Sequence, residues 1–300
     1  MNGRILVIGS INTDLVTYTD RVPVGGETLV AQDFVILPGG KGANQAVAAA
    51  RLGGDVAIIG RVGADAFGRE ALAGLAAEGI SADLVQVTEG VPSGVATILV
   101  ESSGENRILI VAGANGQVMP ADVPDAALQG AALVVLQLEI PLATVADIIA
   151  RSVALGVEVL LNPAPAASLD PAMLRGVRYL VPNRDELGRL AGLPVGRTDE
   201  VVAAARRLVR RGVGCVIVTL GEDGALLVTQ ERVAHVEAPR VTPVDTTGAG
   251  DAFIGCFAQT LVATGDVDAA VARAVRYAAD SVTRRGAQIS YQKSKDVLFL

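Results

Sequence analysis

The chain has 300 residues, 51% hydrophobic and only 3% aromatic, with 25 Lys and Arg against 32 Asp and Glu for a net charge of -7. That acidity and a pI near 4.9 argue against a nucleic-acid groove or an anionic membrane surface as the main partner, so a small anionic ligand needs a local positive site. Every apolar run is broken by charge or glycine well short of the roughly 18 to 20 residues that cross a bilayer. The first fourteen residues place no basic region before a long apolar core, so the expectation is no membrane and a cytoplasmic location.

Short Val-, Ile- and Leu-rich runs at residues 4–10, 56–60, 133–138, 157–161, 179–182 and 215–220 read as buried parallel strands. Residues 42–52, 66–78, 142–155 and 200–211 carry apolar residues at helical spacing between them. The alternation predicts a single α/β domain over residues 1–300, a doubly wound, mostly parallel sheet flanked by helices. Residues 15–38 and 95–111 break the rhythm and read as strands, the second pair turning at residues 102–106. Inserted between elements of the main sheet, they predict a small β-sheet lid over the carboxyl ends of its strands. Its outer face would be open to a second subunit, giving a homodimer.

The first strand runs into Gly9-Ser10-Ile11-Asn12-Thr13-Asp14, where Asn12 and Asp14 face one side and could grip a carbohydrate. The stretch Gly39-Gly40-Lys41-Gly42-Ala43-Asn44 opens a helix with Lys41 and Asn44 as donors to oxygens. Taken alone it reads as structural, and neither a P-loop nor a dinucleotide fingerprint is present. Cys215 and Cys256 read as core residues. His235, the only histidine, excludes histidine-rich metal sites and reads as a strand-surface residue.

Asp245-Thr246-Thr247-Gly248-Ala249-Gly250-Asp251 puts glycines and a carboxylate at the mouth of an apolar helix. There the unpaired N–H groups and positive dipole end suit a phosphoryl group, and Asp251 could accept a hydroxyl proton. Read alone, the stretch is equally a glycine turn with an Asp cap.

Residues 39–63 match the first signature of the ribokinase-like (PfkB) sugar kinases, and Asp245 to Asp251 match the second, so the chain resembles that family over nearly its whole length. Further matches are Gly25-Gly26-Glu27-Thr28, Gly113-Ala114-Asn115, residues 162–166 and 182–186, and Arg284-Arg285-Gly286-Ala287-Gln288. The resemblance implies an ATP- and Mg²⁺-dependent kinase acting on O5 of D-ribose, with deoxyribose, a nucleoside or another sugar as alternative acceptors. A catalytically silent sugar sensor is the alternative from another class. It implies Asp251 as general base, an anion hole at Gly248, Ala249 and Gly250, and a pentose held by Asn12, Asp14, Gly40, Lys41, Asn44, Glu139 and Asp251. Asn183, Thr219, Leu220, Gly221, Glu222, Asp223, Gly224 and Gly250 would take the nucleotide, and Glu186 would reach Mg²⁺ through water. A K⁺ site is implied at Asp245, Thr247, Ser281, Arg284, Gly286 and Ser290, largely through backbone carbonyls, with the charge of Arg284 or Arg285 as the alternative occupant.

Overall fold

The computed structural model describes residues 3–103 and 105–293. Strand β1 (Arg4–Ile8) is followed by β2 (Asn12–Thr19), β3 (Asp33–Gly39), α1 (Lys41–Arg51), β4 (Val56–Ile59), β5 (Arg61–Gly63), α2 (Ala66–Ala77) and β6 (Gln86–Thr88). Next come β7 (Gly94–Glu101), β8 (Asn106–Val111), α3 (Asp125–Gln129), β9 (Ala131–Leu136), α4 (Leu142–Ala154), β10 (Val159–Leu161), β11 (Tyr179–Leu180), α5 (Arg184–Ala191) and α6 (Thr198–Arg210). The last third holds β12 (Cys215–Thr219), β13 (Ala225–Val228), β14 (Val233–Val236), α7 (Ala249–Thr264) and α8 (Val267–Ser281).

The main sheet has the order β14-β13-β12-β11-β10-β9-β1-β4, parallel from β12 to β4 and antiparallel at β13 and β14. Its central strands are apolar on both faces because helices cover both. In β1, Ile5 and Val7 pack in the core layer that holds Phe257 and Tyr277 of α7 and α8, while Leu6 and Ile8 pack in the layer with Ile148 of α4 and Leu208 of α6. The expected parallel strands and helices are present within a few residues of their predicted ends. Helices α5 and α8 and strand β13 were not among the expected elements, whereas β14 falls on the run around His235 that reads as a strand. His235 does lie exposed on β14, its Nε2 2.7 Å from the Asp223 carbonyl, and both thiols are buried.

The lid is a separate sheet of order β3-β2-β7-β8, with β2 parallel to β7 and antiparallel to β3. Its first strand begins earlier than residue 15. The core strand ends at Ile8, and Asn12 and Asp14 belong to the lid strand β2 rather than to the end of the first core strand. The polar Asn-Thr-Asp sequence extends because it is laddered on both sides, Asn12 opposite Gly39 and Gly94. The expected turn at residues 102–106 joins β7 to β8, although Gly104 lies outside the described residues.

Helices α1 and α7 meet at unusually close range. A Cβ at Gly255 would stand 2.5 Å from the Ala48 Cβ and 2.6 Å from the Gln45 carbonyl oxygen, closer than atoms can pack. This contact seats the start of α7 against Asn44 and Gln45. Gly255→Ala is expected to lower stability by about 1 to 3 kcal/mol despite alanine's better helix propensity, because the overlap is with backbone and a packed methyl. Urea unfolding midpoints measure this, and an unchanged or raised midpoint would show that the helices separate freely.

Candidate active site

The N-terminus of α7 is built around Gly248, whose φ of 75° is left-handed and whose Cβ would lie 2.6 Å from the Tyr291 hydroxyl. Tyr291 donates to the Gly248 carbonyl at 2.8 Å, and the Ala252 amide closes the first turn on the same oxygen at 2.8 Å. The amides of Gly250 and Asp251 meet no acceptor among the described residues, as expected of the first turn of a helix. The Ala249 amide is taken by the Thr246 carbonyl at 3.2 Å, so the open donors of this helix end are those of Gly250 and Asp251.

Asp251 is buried at the same turn. Its Oδ2 accepts from Asn44 Nδ2 at 3.0 Å and its Oδ1 from Gln45 Nε2 at 2.9 Å. The Asn44 amide is itself oriented by Gln288, whose Nε2 donates to Asn44 Oδ1 at 2.9 Å.

Beside Asp251 stand the residues expected to hold a sugar. Asn12 and Asp14 share one face of β2, and the Asn12 Oδ1 accepts from Asn115 Nδ2 at 2.6 Å. That contact turns the Asn12 NH₂ end outward as a donor. Glu139 accepts from the Ser10 hydroxyl at 2.6 Å and from the Lys41 amide at 3.1 Å, so it ties β1 to the start of α1, whose N-cap is Gly40. Asp251 holds the Lys41 ammonium above its ordinary pKa against the opposing effect of burial, helped by Glu139, Glu186 and Asp14. Burial pushes the Asp14 carboxyl up to about 7, with Glu139 and Asp251 adding repulsion and Lys41 opposing it.

On the other side of Asp251 a cavity of about 210 Å³ is lined by Lys41, Asn183, Glu186, Thr219 and Gly248 to Asp251. Asn183 and Thr219 form a parallel bridge between the ends of β11 and β12. Asn183 Oδ1 accepts the Glu186 amide and Glu186 Oε2 accepts the Asn183 amide, both at 2.8 Å, which caps α5 reciprocally. Burial raises the Glu186 pKa. Leu220 to Gly224 form the turn after Thr219, closed by the Leu220 amide on the Gly224 carbonyl at 2.8 Å, with Gly221, Glu222 and Asp223 exposed. A larger cleft of about 560 Å³, between Arg178, Cys215, Thr229 and Arg232, lies at the opposite ends of β11 and β12 and gathers none of these groups.

The segments expected to hold a monovalent cation also meet. Asp245 Oδ1 accepts the Thr247 amide at 2.9 Å and Oδ2 the Gly286 amide at 2.8 Å, and the Asp245 amide donates to the Val282 carbonyl at 3.2 Å. Burial alone would raise the Asp245 pKa, but these hydrogen bonds outweigh it and hold the carboxyl below its ordinary value. The guanidinium of Arg284 pairs with Asp280 and donates to the Ser290 carbonyl at 2.9 Å, while the Ser281 hydroxyl turns back to the Ala278 carbonyl at 2.8 Å. Arg284 is thus directed away from Asp245, and Arg285 stacks over Tyr18.

With this geometry in hand, the sequence profile of the pfkB family carbohydrate kinases matches residues 2–294. The chain belongs to that family. It is 49% identical over 290 residues to a deoxyribokinase of Salmonella typhi, covering 96% of this chain and 95% of that protein. It is 42% identical over 300 residues to a ribokinase of Schizosaccharomyces pombe, covering 96% and 94% respectively. The structure of Arabidopsis thaliana ribokinase complexed with ribose and ATP superposes with a TM-score of 0.92 at 32% identity, covering 99% of this chain and 98% of that one. The chain is an ATP-dependent sugar kinase, and its two signature stretches meet around Asp251.

The kinase site also uses residues that the motifs did not single out for a role, namely Ser10, Gln45, Asn115, Asn162, Gln288 and Tyr291. One signal was available: Gln45 and Asn44 are adjacent side-chain amides in a helix whose other residues between Lys41 and Arg51 are small or apolar.

The Asp14 shift has a definite sign. An unfolded aspartate titrates near its ordinary value of about 3.9, so between about pH 4 and pH 7 the native state binds the extra proton and its stability falls as pH rises. Below that window the protonated native group carries no penalty; above about 7 the penalty is complete. Asp14→Asn is therefore expected to make the ligand-free kinase more stable than the parent at pH 8 and equally stable near pH 4, as measured by urea unfolding. A variant less stable at pH 8 would contradict the assignment.

Proposed function

We propose that the kinase transfers the γ-phosphoryl group of ATP to O5 of D-ribose, with Asp251 as the general base. The observation that carries this is the convergence, at the carboxyl ends of the main sheet, of a carboxylate in the first turn of α7 with the polar face of the lid strand β2. In this reading Asn12, Asp14, Gly40, Lys41, Asn44 and Glu139 hold the sugar, carboxylates accepting from its hydroxyls and the amide and ammonium groups donating to them. As the hydroxyl oxygen attacks phosphorus in line, its proton passes to Asp251 and the amides at Gly248 to Gly250 take up charge on the moving phosphoryl group. The lid keeps water from competing for that group. Asn183, Thr219 and the turn from Leu220 to Gly224 take the nucleotide.

Mg²⁺ fits Glu186, the carboxylate that lines the cavity on the nucleotide side, as an ion that keeps most of its water and borrows the remaining ligands from phosphates. Among the described residues no group of three or more His, Cys, Asp or Glu side chains is gathered for a metal, in keeping with such hydrated binding. When bound it neutralises charge on the phosphates. K⁺ is proposed beside Asp245, whose carboxylate accepts from the Thr247 and Gly286 amides and which Arg285 affects less than those hydrogen bonds do. The exposed Phe34, Ile36, Leu109 and Val111, which share the lid face opposite Asp14, give a second copy of the chain an apolar surface to cover, and a homodimer through the lid is proposed on that ground.

A second acceptor, 2-deoxyribose, is favoured by the 49% identity to deoxyribokinases of Salmonella typhi and Salmonella typhimurium. ATP consumption measured across D-ribose, 2-deoxyribose, fructose and adenosine decides between them. D-ribose is expected to give the highest kcat/KM, and a higher value for 2-deoxyribose would replace it. With the preferred sugar, Asp251→Asn is expected to lower kcat by about 10² to 10⁴ while sugar binding survives. More than about a tenth of normal turnover would remove Asp251 from the role of base.

The proposed cation site has its own test. K⁺ or Cs⁺ is expected to raise kcat above the value in Na⁺ at constant ionic strength, because a large, weakly hydrated ion fits carbonyl ligands that Na⁺ does not fill. Equal rates in all three salts would rule out a selective activating site.

A further inference from the structure

Both oxygens of Asp251 are tied, and the two ties differ in kind. Gln45 is completely buried, its Nε2 lying 2.9 Å from Asp251 Oδ1 and 3.3 Å from Asn162 Oδ1. Its Oε1 accepts from Gln137 Nε2 at 2.7 Å, and Gln137 is also completely buried. A side-chain amide has one accepting end and one donating end. With the NH₂ of Gln137 on the Gln45 oxygen, only the NH₂ of Gln45 can face Asp251. Reversing Gln45 would set its carbonyl against the carboxylate and its NH₂ against that of Gln137, two repulsive contacts between buried side chains. The amide chain therefore has a fixed direction.

We propose that Gln45 is a positioning residue, which holds Asp251 by Oδ1 and so makes Oδ2 the oxygen that takes the acceptor's proton. The inference rests on the reading of Asp251 as general base. No substrate can come to Oδ1 past a side chain with no exposure, whereas the partner of Oδ2 is Asn44, which is among the residues proposed to hold the sugar. As the sugar hydroxyl displaces the Asn44 N–H from Oδ2, Asn44 can donate to the sugar instead. In the transfer the hydroxyl O–H bond breaks, its proton goes to Oδ2, and the oxygen's electron pair forms the new bond to phosphorus while the bond to the ADP oxygen breaks. Without the tether the carboxylate can rotate about its own axis and lose alignment with the hydroxyl. The sugar keeps its other contacts, so the loss falls on the chemical step rather than on binding.

Gln45→Leu removes the donor at similar volume. It is expected to lower kcat by about ten- to a hundredfold, the scale of a misaligned catalytic group, with the KM for sugar within about threefold of the parent and the KM for ATP unchanged. The deciding readout is the same substitution in an Asp251→Asn background. A residue that acts only through the base should cost less than about twofold there, a failure of additivity expected of coupled groups. A kcat within twofold of the parent, or an equal loss in both backgrounds, would overturn the proposal. Thermal unfolding checks that the variant is folded. If it is not, Gln137→Met leaves Gln45 in place but removes the group that fixes its direction, and should cost kcat about three- to tenfold with KM kept and no further loss beside Asp251→Asn. An unchanged kcat in Gln137→Met would then sink the tether. Should Asp251→Asn itself retain more than a tenth of turnover, the base and the tether fall together; a crippled Asp251→Asn beside an unaffected Gln45→Leu removes the tether alone.

Discussion

The close approach of α1 to α7 is the constraint on which the cleft depends. The two helices come from segments about two hundred residues apart, yet Gly255 lets α7 lie against Ala48 and the Gln45 backbone with no side chain between them. Only at that separation can the short side chain of Asp251 reach two amides on α1 at 3.0 and 2.9 Å. The first turn of α7 is fixed at the same time, because Tyr291 grips the Gly248 carbonyl while Arg51 of α1 donates to the Gln288 and Tyr291 carbonyls. A helix end, a carboxylate and a neighbouring helix are thereby held as one body.

Charge in the cleft is unbalanced in a way that suits its ligands. One ammonium, Lys41, is surrounded by the carboxylates of Asp14, Glu139, Glu186 and Asp251. Such a site would repel a nucleotide's phosphates were it not for the dipole end of α7, and the divalent ion proposed at Glu186 would supply further positive charge there. Burial, with the repulsion of Glu139 and Asp251 added to it, raises the Asp14 carboxyl to about 7. Neutral amides, rather than arginines, surround Asp251, and they orient it without adding net charge where a hydroxyl proton has to be accepted.

Much of this was legible in the sequence, because the two glycine stretches are contiguous and each sits at a helix start whose physics does not depend on the rest of the chain. The buried parallel strands were legible for a similar reason: unbroken Val, Ile and Leu runs leave few alternatives. The amide chain was not. Gln45, Gln137, Asn162 and Gln288 lie on four separate segments, and each reads as an ordinary polar residue until the fold brings them together around one carboxylate. Asn12 to Asp14 misled for the opposite reason. Gly9 follows the first strand directly, but the chain runs on through Ser10 and Ile11 in a pattern that reads as more of the same strand, and only pairing with β3 and β7 assigns Asn12 to Asp14 to the lid.

That crossing has a functional consequence. Because β2 leaves the core within three residues of β1, two of the groups proposed to grip the sugar, Asn12 and Asp14, ride on the lid, while Lys41 and Asn44 ride on α1 and the proposed base and anion hole on α7. Asn115 links the two bodies by holding both Asn12 and the Ile11 backbone at the point of crossing. If the proposed roles hold, a sugar that satisfies Asn12 and Asp14 bridges the lid to the Asp251 side of the cleft, and one that does not loses that bridge. On this reading selectivity is set by the lid face and chemistry by the helix, so the acceptor can change between relatives without altering the catalytic turn. A chain that resembles both deoxyribokinases and ribokinases along its whole length is what that separation produces.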